Sequence, residues 1–563
     1  MQTALDLSVP FPPRASADGK RSSGKTPGAV FTQPHVVRLL LDLAGYTTDR
    51  DLASLCLLEP ACGPGAFLIV AVERLIASAR RHGRSLRQLG HAIAAYDIDP
   101  RHVVRARAAV SETLHRLGLS TQEAKRLAMR WIVHQDFLLT EQKRRFDAVV
   151  GNPPYVRIEK LSPKLRAAYR QRYRTLCDRA DLYVAFMERA LRLLAHGGVL
   201  ALVCADRWTR NRYGARLRRM LSERFKIHGY IDLHRASPFE AKVFAYPSIV
   251  VITTGKTDRV PVVTLDTASP SACASVMAAV KGSATSPPSV TVEDYPTWFE
   301  RDEPWVLSSP AHLAPLRSLE ARFAPLEHVG GTRVGIGVAT GNDKVYIVGD
   351  DVDIERDRLV PIVMREDLER GRIRDARRSV INTFGDDGKV IDLRAYPKLA
   401  AYLNAHASAL KKRHLAKNNP ANWFRTLDRV YPERVGIAKL LLPDIARSND
   451  VVYERGRFHP HHNLYFITST EWDLEALGGL LSSKVALFFV WSYSVRMRGG
   501  YLRFQAQYLR RIRLPSPNNV GRGLIHALRD AFRKRKFATL DELALRAYGL
   551  EELPAFPFVD TRT

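Results

Sequence analysis

The sequence predicts an α/β fold built on a doubly wound, mostly parallel sheet. Two observations support this prediction. Short apolar runs alternate with helical stretches in the first half of the chain, and several of the runs end in glycines or polar residues, as buried parallel strands do. Seven runs are expected as strands, at residues 55–59, 92–96, 131–134, 146–150, 199–204, 227–233 and 248–253.

The alternation stops near residue 256, and this change divides the chain. Residues 256–300 are rich in Ser, Thr, Ala, Pro and Val, and the half that follows mixes short hairpin-like runs with basic, aromatic stretches. Residues 1–25 are rich in Pro, Ser, Lys and Arg, a composition typical of disorder. We therefore expect a disordered basic N-terminus at 1–25, an α/β domain at 26–255 and a mixed α+β domain at 256–563.

The charge balance indicates a polyanionic partner. The 563 residues include 86 Lys and Arg against 58 Asp and Glu, a net charge of +28, and nucleic acid explains this excess most simply. An anionic membrane surface is the alternative, but no uninterrupted apolar span is long enough to cross a bilayer, and the N-terminus lacks the apolar core of a signal peptide. The five cysteines never form a CxxC pair, which favours a reducing cytoplasm and no metal site.

The first three predicted strands lead into residues suited to a nucleoside ligand. Gly63 and Gly65 let the backbone after the first strand approach a ligand closely. Asp97, at the end of the second strand, is where an acid can bind a ribose diol. Asp136 and Phe137 follow the third strand, where they would bond to an adenine ring and sandwich it. The sequence therefore predicts a nucleoside-containing cofactor.

The glycine turn distinguishes two classes of cofactor. A dinucleotide-binding Rossmann protein is the main alternative, but the turn reads Gly63-Pro64-Gly65 instead of GxGxxG. Pro64 lacks a backbone N–H that a pyrophosphate would use. S-adenosyl-methionine, the donor in methyl transfer, carries no phosphate and does not need that N–H. We therefore expect S-adenosyl-methionine as the cofactor.

The fourth strand ends abruptly in Asn152-Pro153-Pro154-Tyr155, because two prolines cannot continue a central strand. An amino group conjugated to a ring is a poor nucleophile, since its lone pair is delocalised. The side-chain oxygen of Asn152 and the carbonyl of Pro153 would accept hydrogen bonds from such a group, and the stiff loop would hold both acceptors in place. Tyr155 offers a flat face on which a base can stack. The alternative is a tight turn that only closes a strand.

In this order the motifs resemble the γ class of adenine-specific DNA methyltransferases, which belong to type II restriction–modification systems with the TaqI-type layout. The resemblance covers residues 26 to about 255, and it rests on Phe31-Thr32, residues 58–67, Asp97, Asp136-Phe137 and the Asn152 loop. Many members have Glu in place of Asp97, but a shorter acid still suits a diol. The resemblance implies a seven-stranded methyltransferase sheet, followed by a C-terminal target-recognition domain that binds double-stranded DNA.

The resemblance also implies the roles of individual residues. The catalytic loop consists of Asn152, Pro153, Pro154 and Tyr155. Tyr155 and a further aromatic after the sixth strand contact the flipped base; Phe239 and Tyr246 both fit that position, and Phe239 is preferred. The residues expected at the cofactor are Phe31, Thr32, Glu59, Ala61, Gly63, Gly65, Asp97, Ile98, Asp136 and Phe137.

Two segments of the C-terminal half, 411–425 and 496–513, combine basic and aromatic residues. Basic groups can neutralise phosphates, while Arg and Gln can read base edges. The alternative is a solvated charged face with aromatic side chains in the core. The residues expected to contact DNA are Arg413, Arg425, Arg498, Tyr501, Arg503 and Gln505.

The predicted function is methylation of the adenine 6-amino group at a specific site in duplex DNA, which protects host DNA in a restriction–modification system. Methylation of RNA or of a protein glutamine through the same loop is one alternative, and the large basic second half counts against it. A non-catalytic DNA-binding subunit is another, and the intact Asn152 loop counts against it. Asp444 and Glu454 suggest a PD-ExK nuclease, but Gly456 stands where that motif needs Lys. We expect a monomer, with a separately encoded restriction endonuclease as a potential partner.

Overall fold

The computed structural model describes residues 32–240, 246–256, 259–280, 289–295, 298–299, 301–306, 309–374, 376–494 and 500–556. Segment 1–25, predicted to be disordered, lies outside the described residues, as do Phe31 and Arg498. The chain forms two compact units, unit 1 at residues 1–305 and unit 2 at residues 306–563.

Unit 1 is built on a nine-stranded sheet. Its strands are β1 (Leu57–Glu59), β2 (Ile93–Asp97), β3 (Ile132–His134), β4 (Phe146–Gly151), β5 (Leu194–Ala205), β6 (Phe225–Asp232), β7 (Pro247–Thr254), β8 (Val260–Leu265) and β9 (Val290–Tyr295). They are ordered β3-β2-β1-β4-β5-β7-β6-β8-β9. Strands β1 to β5 pair in parallel, as do β6 and β8, and β7 is antiparallel to both of its neighbours. The predicted doubly wound, mostly parallel sheet is confirmed.

The helices of unit 1 connect these strands. They are α1 (Pro34–Leu43), α2 (Ala66–Arg81), α3 (Pro100–Arg116), α4 (Thr121–Trp131), α5 (Pro163–Arg172), α6 (Tyr183–Arg192), α7 (Ala215–Arg224) and α8 (Pro270–Val280). The apolar side chains of α1 to α4 and α8 share one buried core with the sheet. Local sequence fixes where several helices begin. Pro100 opens α3 directly after Asp99, whose side chain accepts the backbone N–H of Arg101.

The predicted domain boundary at residue 255 is wrong, because the sheet continues beyond it. β8 pairs with β6, and β9 pairs with β8. Val260, Val263 and Leu265 are fully buried in the core of unit 1. The Ser, Thr, Ala and Pro content of residues 256–300 conceals two strands and the small-residue helix α8, so unit 1 has two strands more than the predicted seven and ends at Trp305.

Unit 2 is a mixed α+β structure, as predicted for the C-terminal part. Its strands are β10 (Ala324–Pro325), β11 (Arg333–Ile336), β12 (Ile347–Gly349), β13 (Leu359–Val363), β14 (Leu368–Glu369), β15 (Arg372–Ile373), β16 (Arg378–Ile381), β17 (Lys439–Pro443), β18 (Ile445–Ala446), β19 (Val452–Glu454), β20 (His459–Pro460), β21 (Leu464–Thr468), β22 (Leu502–Arg503) and β23 (Arg513–Leu514). Two four-stranded sheets, β11-β21-β17-β19 and β12-β16-β13-β20, form its centre.

Along the chain, the helices of unit 2 are longest near its first and last residues and shorter between them. They are α9 (Pro310–Arg322), α10 (Asp343–Tyr346), α11 (Pro397–Ala405), α12 (Ala407–Lys411), α13 (His414–Asn418), α14 (Leu474–Leu481), α15 (Lys484–Tyr493), α16 (Ala506–Leu509), α17 (Arg522–Arg533) and α18 (Phe537–Tyr548). No single helix in the described ranges is both long and apolar enough to cross a membrane. α14 and α15 pass that test only as a pair, which is bent by 57° at its break.

Candidate active site

The carboxyl ends of the parallel strands β1, β2, β4 and β5 meet at one edge of the unit 1 sheet, which we call the carboxyl edge. It carries the glycine turn after β1, Asp97 at the end of β2 and the loop that begins at Asn152 after β4. β7 runs antiparallel to β5, so Pro247 at its start lies at the same edge. The motifs that the sequence places after separate strands therefore come together in space.

Asp97 holds the glycine turn in shape. Its Oδ2 accepts a hydrogen bond from the backbone N–H of Gly63 at 2.8 Å, and its Oδ1 accepts one from the N–H of Asp99 at 2.8 Å. Gly63 has a φ of +53° and Gly65 a φ of +100°, which are backbone conformations that favour glycine. A Cβ on Gly65 would also lie 3.3 Å from Ala106. The acid predicted to bind a ribose is thus also the residue that shapes the turn.

Glu59 ends β1 directly before the turn and is 1% exposed. Its Oε2 has no hydrogen-bond partner in the described part of the chain. Burial, and then the charge of Asp97, raise the pKa of Glu59 well above its ordinary value. Such a carboxyl group is suited to a ligand that brings a positive charge or a hydrogen-bond donor. Ala61 is half-buried, and Ile98, 58% exposed, presents an apolar side chain after β2.

Asp136 and Phe137 are more enclosed than the sequence suggests. Asp136 accepts hydrogen bonds from the backbone N–H two positions later at 2.8 Å and from the hydroxyl of Tyr169 at 2.7 Å. Phe137 is 2% exposed, and its ring centroid lies 5.6 Å from those of both Tyr96 and Phe186. In this structure Phe137 is a core residue, because other side chains cover the ring that was expected to stack on adenine.

The segment before α1 orients Asn152. The Nδ2 of Asn152 donates to the Oγ1 of Thr32 at 3.2 Å. Thr32 is 3% exposed and forms an antiparallel bridge with Phe239, and the side chain of Gln33 donates to the carbonyl of Phe239 at 3.1 Å. These contacts join three regions that are far apart in sequence. The bond to Thr32 sets the direction in which the Asn152 amide points.

Tyr155 completes the loop within a group of aromatic rings. The ring centroids of Tyr183 and Phe239 lie 6.0 and 6.2 Å from that of Tyr155, both edge-to-face. The hydroxyl of Tyr155 is buried without a hydrogen-bond partner among the residues described, and burial raises its pKa well above the ordinary value. The hydroxyls of Tyr183 and Tyr213 lie 2.7 Å apart, and that of Tyr213 donates to Asp181 at 3.1 Å. This chain of hydrogen bonds fixes the ring on which Tyr155 rests.

The two candidates for a second aromatic contact occupy different places. Phe239 packs beside the loop tyrosine, whereas Tyr246 is 40% exposed and stacks on His234, with ring centroids 4.9 Å apart. Burial lowers the pKa of His234, but hydrogen bonds to Asp206 and Asp232 outweigh burial and raise the pKa to about 9. A cationic His234 with Tyr246 therefore forms a second aromatic surface at the carboxyl edge.

Sequence reasoning missed Tyr183 and the group formed by Asp206, Asp232 and His234. The apolar pattern around Tyr183 predicts a helix, and no spacing indicates that this ring faces the Asn152 loop. Asp206 directly follows β5 and Asp232 ends β6. The rule that polar residues at strand ends face the ligand edge would therefore have found both acids.

Two of the arginines predicted to contact DNA are engaged inside unit 2. The guanidinium of Arg413 donates to the carbonyls of Trp423 and Arg425 at 2.8 and 2.9 Å. Arg503 is 6% exposed and pairs with Asp444 at 2.7 Å. Both side chains therefore stabilise unit 2, which conflicts with the expectation that they are available to DNA.

Arg425, Tyr501 and Gln505 are half-buried. The guanidinium carbon of Arg447 lies 4.7 Å from the centroid of the Tyr501 ring. Gln505 directly precedes α16, and its side-chain oxygen accepts a hydrogen bond from the side chain of Gln507 at 3.0 Å. Contact of these three predicted residues with DNA stays a prediction.

The acids that suggest a nuclease motif form ion pairs in unit 2. Glu454 on β19 stands opposite Lys439 on β17, and the two buried side chains pair at 2.7 Å. Glu454 also accepts the backbone N–H of Gly456 at 3.0 Å. Asp444, the other acid, pairs with Arg503. Both acids thus contribute to the packing of unit 2.

Comparison with known proteins identifies the family. The model of the Eco57I restriction-modification methylase family matches residues 94–239. The Type II methyltransferase M.XhoI of Xanthomonas vasicola is 45% identical over 534 residues, which cover 93% of this chain and 97% of that relative. The chain belongs to the type II methyltransferases of restriction–modification systems. The Type II methyltransferase M.PaeR7I of Pseudomonas aeruginosa is 43% identical over 531 residues, which cover 93% of this chain and 92% of that relative.

Solved structures share the architecture of this type II methyltransferase at low sequence identity. The Type IIL restriction-modification enzyme MmeI, in complex with DNA, matches with a TM-score of 0.61 and 14% identity, over 93% of this chain and 74% of that chain. A nuclease-deletion mutant of the Type ISP enzyme LlaGI matches with a TM-score of 0.50 and 12% identity, over 94% of this chain and 48% of that chain. Both matches show a common fold.

Proposed function

We propose that this type II methyltransferase transfers a methyl group from S-adenosyl-methionine to the 6-amino group of adenine in a specific duplex DNA sequence. The observation that carries the proposal is the Asn152 amide, which Thr32 holds at 3.2 Å in the loop that also carries Tyr155. Tyr155 in turn packs against Phe239. A fixed acceptor beside stacking rings is what an exocyclic amino group on a flat base requires.

Asn152 and Pro153 act on the nucleophile. The side-chain oxygen of Asn152 and the carbonyl of Pro153 each accept a hydrogen bond from one N–H of the amino group. These bonds concentrate the lone pair on nitrogen and direct it at the methyl carbon. S-adenosyl-methionine, which Glu59 and Asp97 would hold at the glycine turn, would supply the methyl group and keep the bonding pair on its sulfur. The methylated ammonium is strongly acidic, so its proton passes to water. Pro153 and Pro154 keep the acceptors in place, so little reorganises during the reaction.

The residues at the glycine turn fit S-adenosyl-methionine, which supplies a methyl group on a positively charged sulfur. Glu59 is a buried acid with an unpartnered Oε2 among the described residues, and a cationic ligand would satisfy it. A Cβ on Gly63 would meet no atom within 4 Å, so the turn has room for a ligand. Asp97 accepts backbone N–H groups, and its oxygens can also accept ribose hydroxyls. Ile98 offers an exposed apolar side chain to the adenine moiety.

The target adenine has to leave the duplex, because a stacked base cannot reach the Asn152 loop. Base flipping costs roughly a few kcal/mol. Stacking on an aromatic side chain returns about 1–3 kcal/mol for each base. Tyr155 supplies that surface, and Phe239 supports it.

We assign recognition of the surrounding sequence to unit 2. The Asn152 loop acts on one base, so neighbouring bases must be read by other groups in a groove, and phosphates must be neutralised to hold the register. The net charge of +28 fits this requirement, and Arg425, Tyr501 and Gln505 are the described candidates. We further propose that the protein acts as a monomer in the bacterial cytoplasm and protects DNA from a separately encoded restriction endonuclease.

Identification of the methylated product tests the proposal. The purified full chain is incubated with labelled S-adenosyl-methionine and, separately, with duplex DNA, RNA or a glutamine-containing peptide. We expect label in DNA alone, and mass spectrometry of the digested nucleosides should identify it as N6-methyladenine. The Asn152→Ala variant serves as the negative control. Methylcytosine in the DNA, or label confined to RNA or peptide, would contradict the proposal.

A further inference from the structure

Two adjacent histidines of unit 2 meet a carboxylate from a distant part of the chain. His461 and His462 follow β20, and Asp343 opens α10. The Nε2 of His461 lies 3.2 Å from the Oδ2 of Asp343, and the two imidazole centroids are 4.1 Å apart. One ligand atom from each of the three side chains lies within 4.8 Å of the others. Two imidazoles and a carboxylate at this separation match the donor set of many divalent metal sites.

The imidazole of His461 is buried, that of His462 is half-buried, and neither has its full set of hydrogen bonds in the described part of the chain. His461 is 2% exposed. The Nδ1 atoms of His461 and His462 have no hydrogen-bond partner in the described ranges. Leaving a buried polar atom unsatisfied costs about 1–3 kcal/mol. An ion pair between His461 and Asp343 would leave the Nδ1 of His462 without a partner, whereas a cation held by all three side chains would give His462 a partner as well.

The backbone around the three side chains is fixed by hydrogen bonds. Val338 forms a parallel bridge with His461, and the N–H of His462 donates to the carbonyl of Val338 at 3.0 Å. The hydroxyl of Thr340 donates to the Oδ1 of Asp343 at 2.5 Å, which turns the Oδ2 toward His461. A second bond that orients a ligating carboxylate is typical of metal sites. The three ligands therefore need only side-chain rotation to close on an ion.

We propose that Asp343, His461 and His462 form a zinc site that joins the segment after β11 to β20. With Zn–N and Zn–O distances of about 2.0–2.2 Å, the ligand atoms of a tetrahedral site lie roughly 3.3–3.5 Å apart. The pair formed by Asp343 and His461 is already at 3.2 Å. The Asp343 side chain is 41% exposed, so water can take the fourth position. The cysteine pattern, from which no metal site was expected, does not bear on a site made of histidine and aspartate.

Metal content of the full chain tests the site. The protein is purified without a polyhistidine tag, stripped with a chelator and dialysed against zinc. Elemental analysis should find about one zinc ion bound tightly to each chain. His462→Gln and Asp343→Asn should each weaken zinc binding by at least tenfold. His414→Gln, which changes an exposed histidine of α13, is the matched control and should bind zinc as the unmodified protein does.

Cobalt substitution and thermal unfolding distinguish a variant that has lost only the metal site from a variant that fails to fold. Cobalt in the unmodified chain should give the intense visible absorption of four-coordinate Co²⁺, and His462→Gln should lose it while keeping its circular dichroism. Zinc should raise the Tm of the unmodified chain and of His414→Gln, but not that of Asp343→Asn. Equal metal content and an equal cobalt spectrum in the unmodified and His462→Gln proteins would overturn the proposal. So would an unmodified chain that binds no zinc, which would leave only an ion pair between Asp343 and His461.

Discussion

At the scale of single residues, the proposed reaction depends on how one amide is held. Asn152 belongs to a loop whose prolines restrict the backbone, and its Nδ2 is bound to Thr32. Thr32 is fixed in turn by its bridge to Phe239. The amide is therefore oriented before a base arrives, and this preorganisation is the main way in which polar groups lower a barrier.

Changing Asn152 to Ala should remove catalysis and leave binding intact. The substitution deletes one acceptor for the amino group and touches neither the glycine turn nor unit 2. Turnover should fall by about 10²–10³-fold or more, as it does when one preorganised polar group is lost. Methylation assays measure turnover, while calorimetry and gel shifts measure cofactor and DNA affinity. Near-normal turnover would remove Asn152 from the mechanism.

Changing Thr32 to Val should reduce turnover by less. Valine keeps the shape of Thr32 but removes the oxygen that fixes the Asn152 amide, so the amide can rotate. One lost hydrogen bond of about 1 kcal/mol corresponds to roughly a fivefold slower reaction. Thr32→Ser, which keeps the oxygen, is the matched control. Equal rates for the valine and serine variants would show that the bond seen at 3.2 Å does not matter for turnover.

Glu59 should make cofactor binding depend on pH. In the free protein its pKa is raised, first by burial and then by Asp97, so it keeps its proton to a higher pH than an ordinary Glu. A bound cation stabilises the carboxylate and lowers that pKa. Binding therefore releases protons, and affinity rises with pH through the window between the pKa of the complex and that of the free protein.

Calorimetry in two buffers of different ionisation enthalpy measures these protons directly. The unmodified chain should release protons on binding S-adenosyl-methionine, and Glu59→Gln should release fewer and bind more weakly. Glu112→Gln changes an exposed acid of α3 and should behave as the unmodified chain does. Identical proton release in all three proteins would show that Glu59 does not face the positive charge.

At the scale of elements, the segment between β6 and β7 carries both aromatic residues that are candidates for the proposed contact with the flipped base. Phe239 lies beside Tyr155, whereas Tyr246 stacks on the cationic His234. Phe239→Leu should therefore lower turnover and weaken the fluorescence change of 2-aminopurine placed at the target position. Tyr246→Leu should change both less. The reverse order would make Tyr246 the contact to the flipped base.

The extended sheet gives a test of the boundary between the units. A chain cut after residue 255 loses β8, and with it Val260, Val263 and Leu265 from the core. Burial of each such side chain contributes about 1.5–3 kcal/mol, and the cut also exposes the edge of β6. Residues 26–255 should therefore be insoluble or lack fixed tertiary packing, while residues 26–305 should fold. A shorter fragment with the same Tm and near-ultraviolet circular dichroism as the longer one would contradict this boundary.

Features set by local sequence were the ones that could be predicted. The ends of β1, β2 and β4 are visible where apolar runs stop, and this located Gly63, Asp97 and Asn152. The bond between Asn152 and Thr32 and the contact of Tyr155 with Tyr183 depend on tertiary packing, which no periodicity reports. In unit 2 the apolar runs are too short to distinguish a strand from a short helix, so the secondary structure predicted there was partly wrong.

Residues 335–346 illustrate that limit: they are one of the hairpin-like runs of the second half, and their pattern predicts a strand, a turn and a second strand. In the structure β11 ends at Ile336, and the turn that follows leads into the short helix α10 at Asp343. Gly341 has a φ of +79°, which fits the turn, and the carbonyl of Thr340 before it accepts a hydrogen bond from the N–H of Leu427, far along the chain. His461 and His462 lie close to Asp343 although they are far from it in sequence, and no sequence pattern indicates that these three residues are neighbours.

At the scale of the whole molecule, chemistry and sequence reading are assigned to different units. Unit 1 carries the proposed methyl-transfer site at the Asn152 loop, and unit 2 carries basic and aromatic segments. Several arginines of unit 2, such as Arg413 and Arg503, hold its own fold together. The excess positive charge therefore overstates the number of groups that are available to DNA.

The most direct test of the central claim is sequencing, with modified-base detection, of DNA from cells that express the protein. We predict N6-methyladenine at a single short sequence throughout that DNA, at one adenine in each strand or half-site, and none in cells that express Asn152→Ala at the same level. Methylation on cytosine, adenine methylation without a common sequence, or an unchanged pattern with Asn152→Ala would contradict an adenine-specific methyltransferase that works through the Asn152 loop.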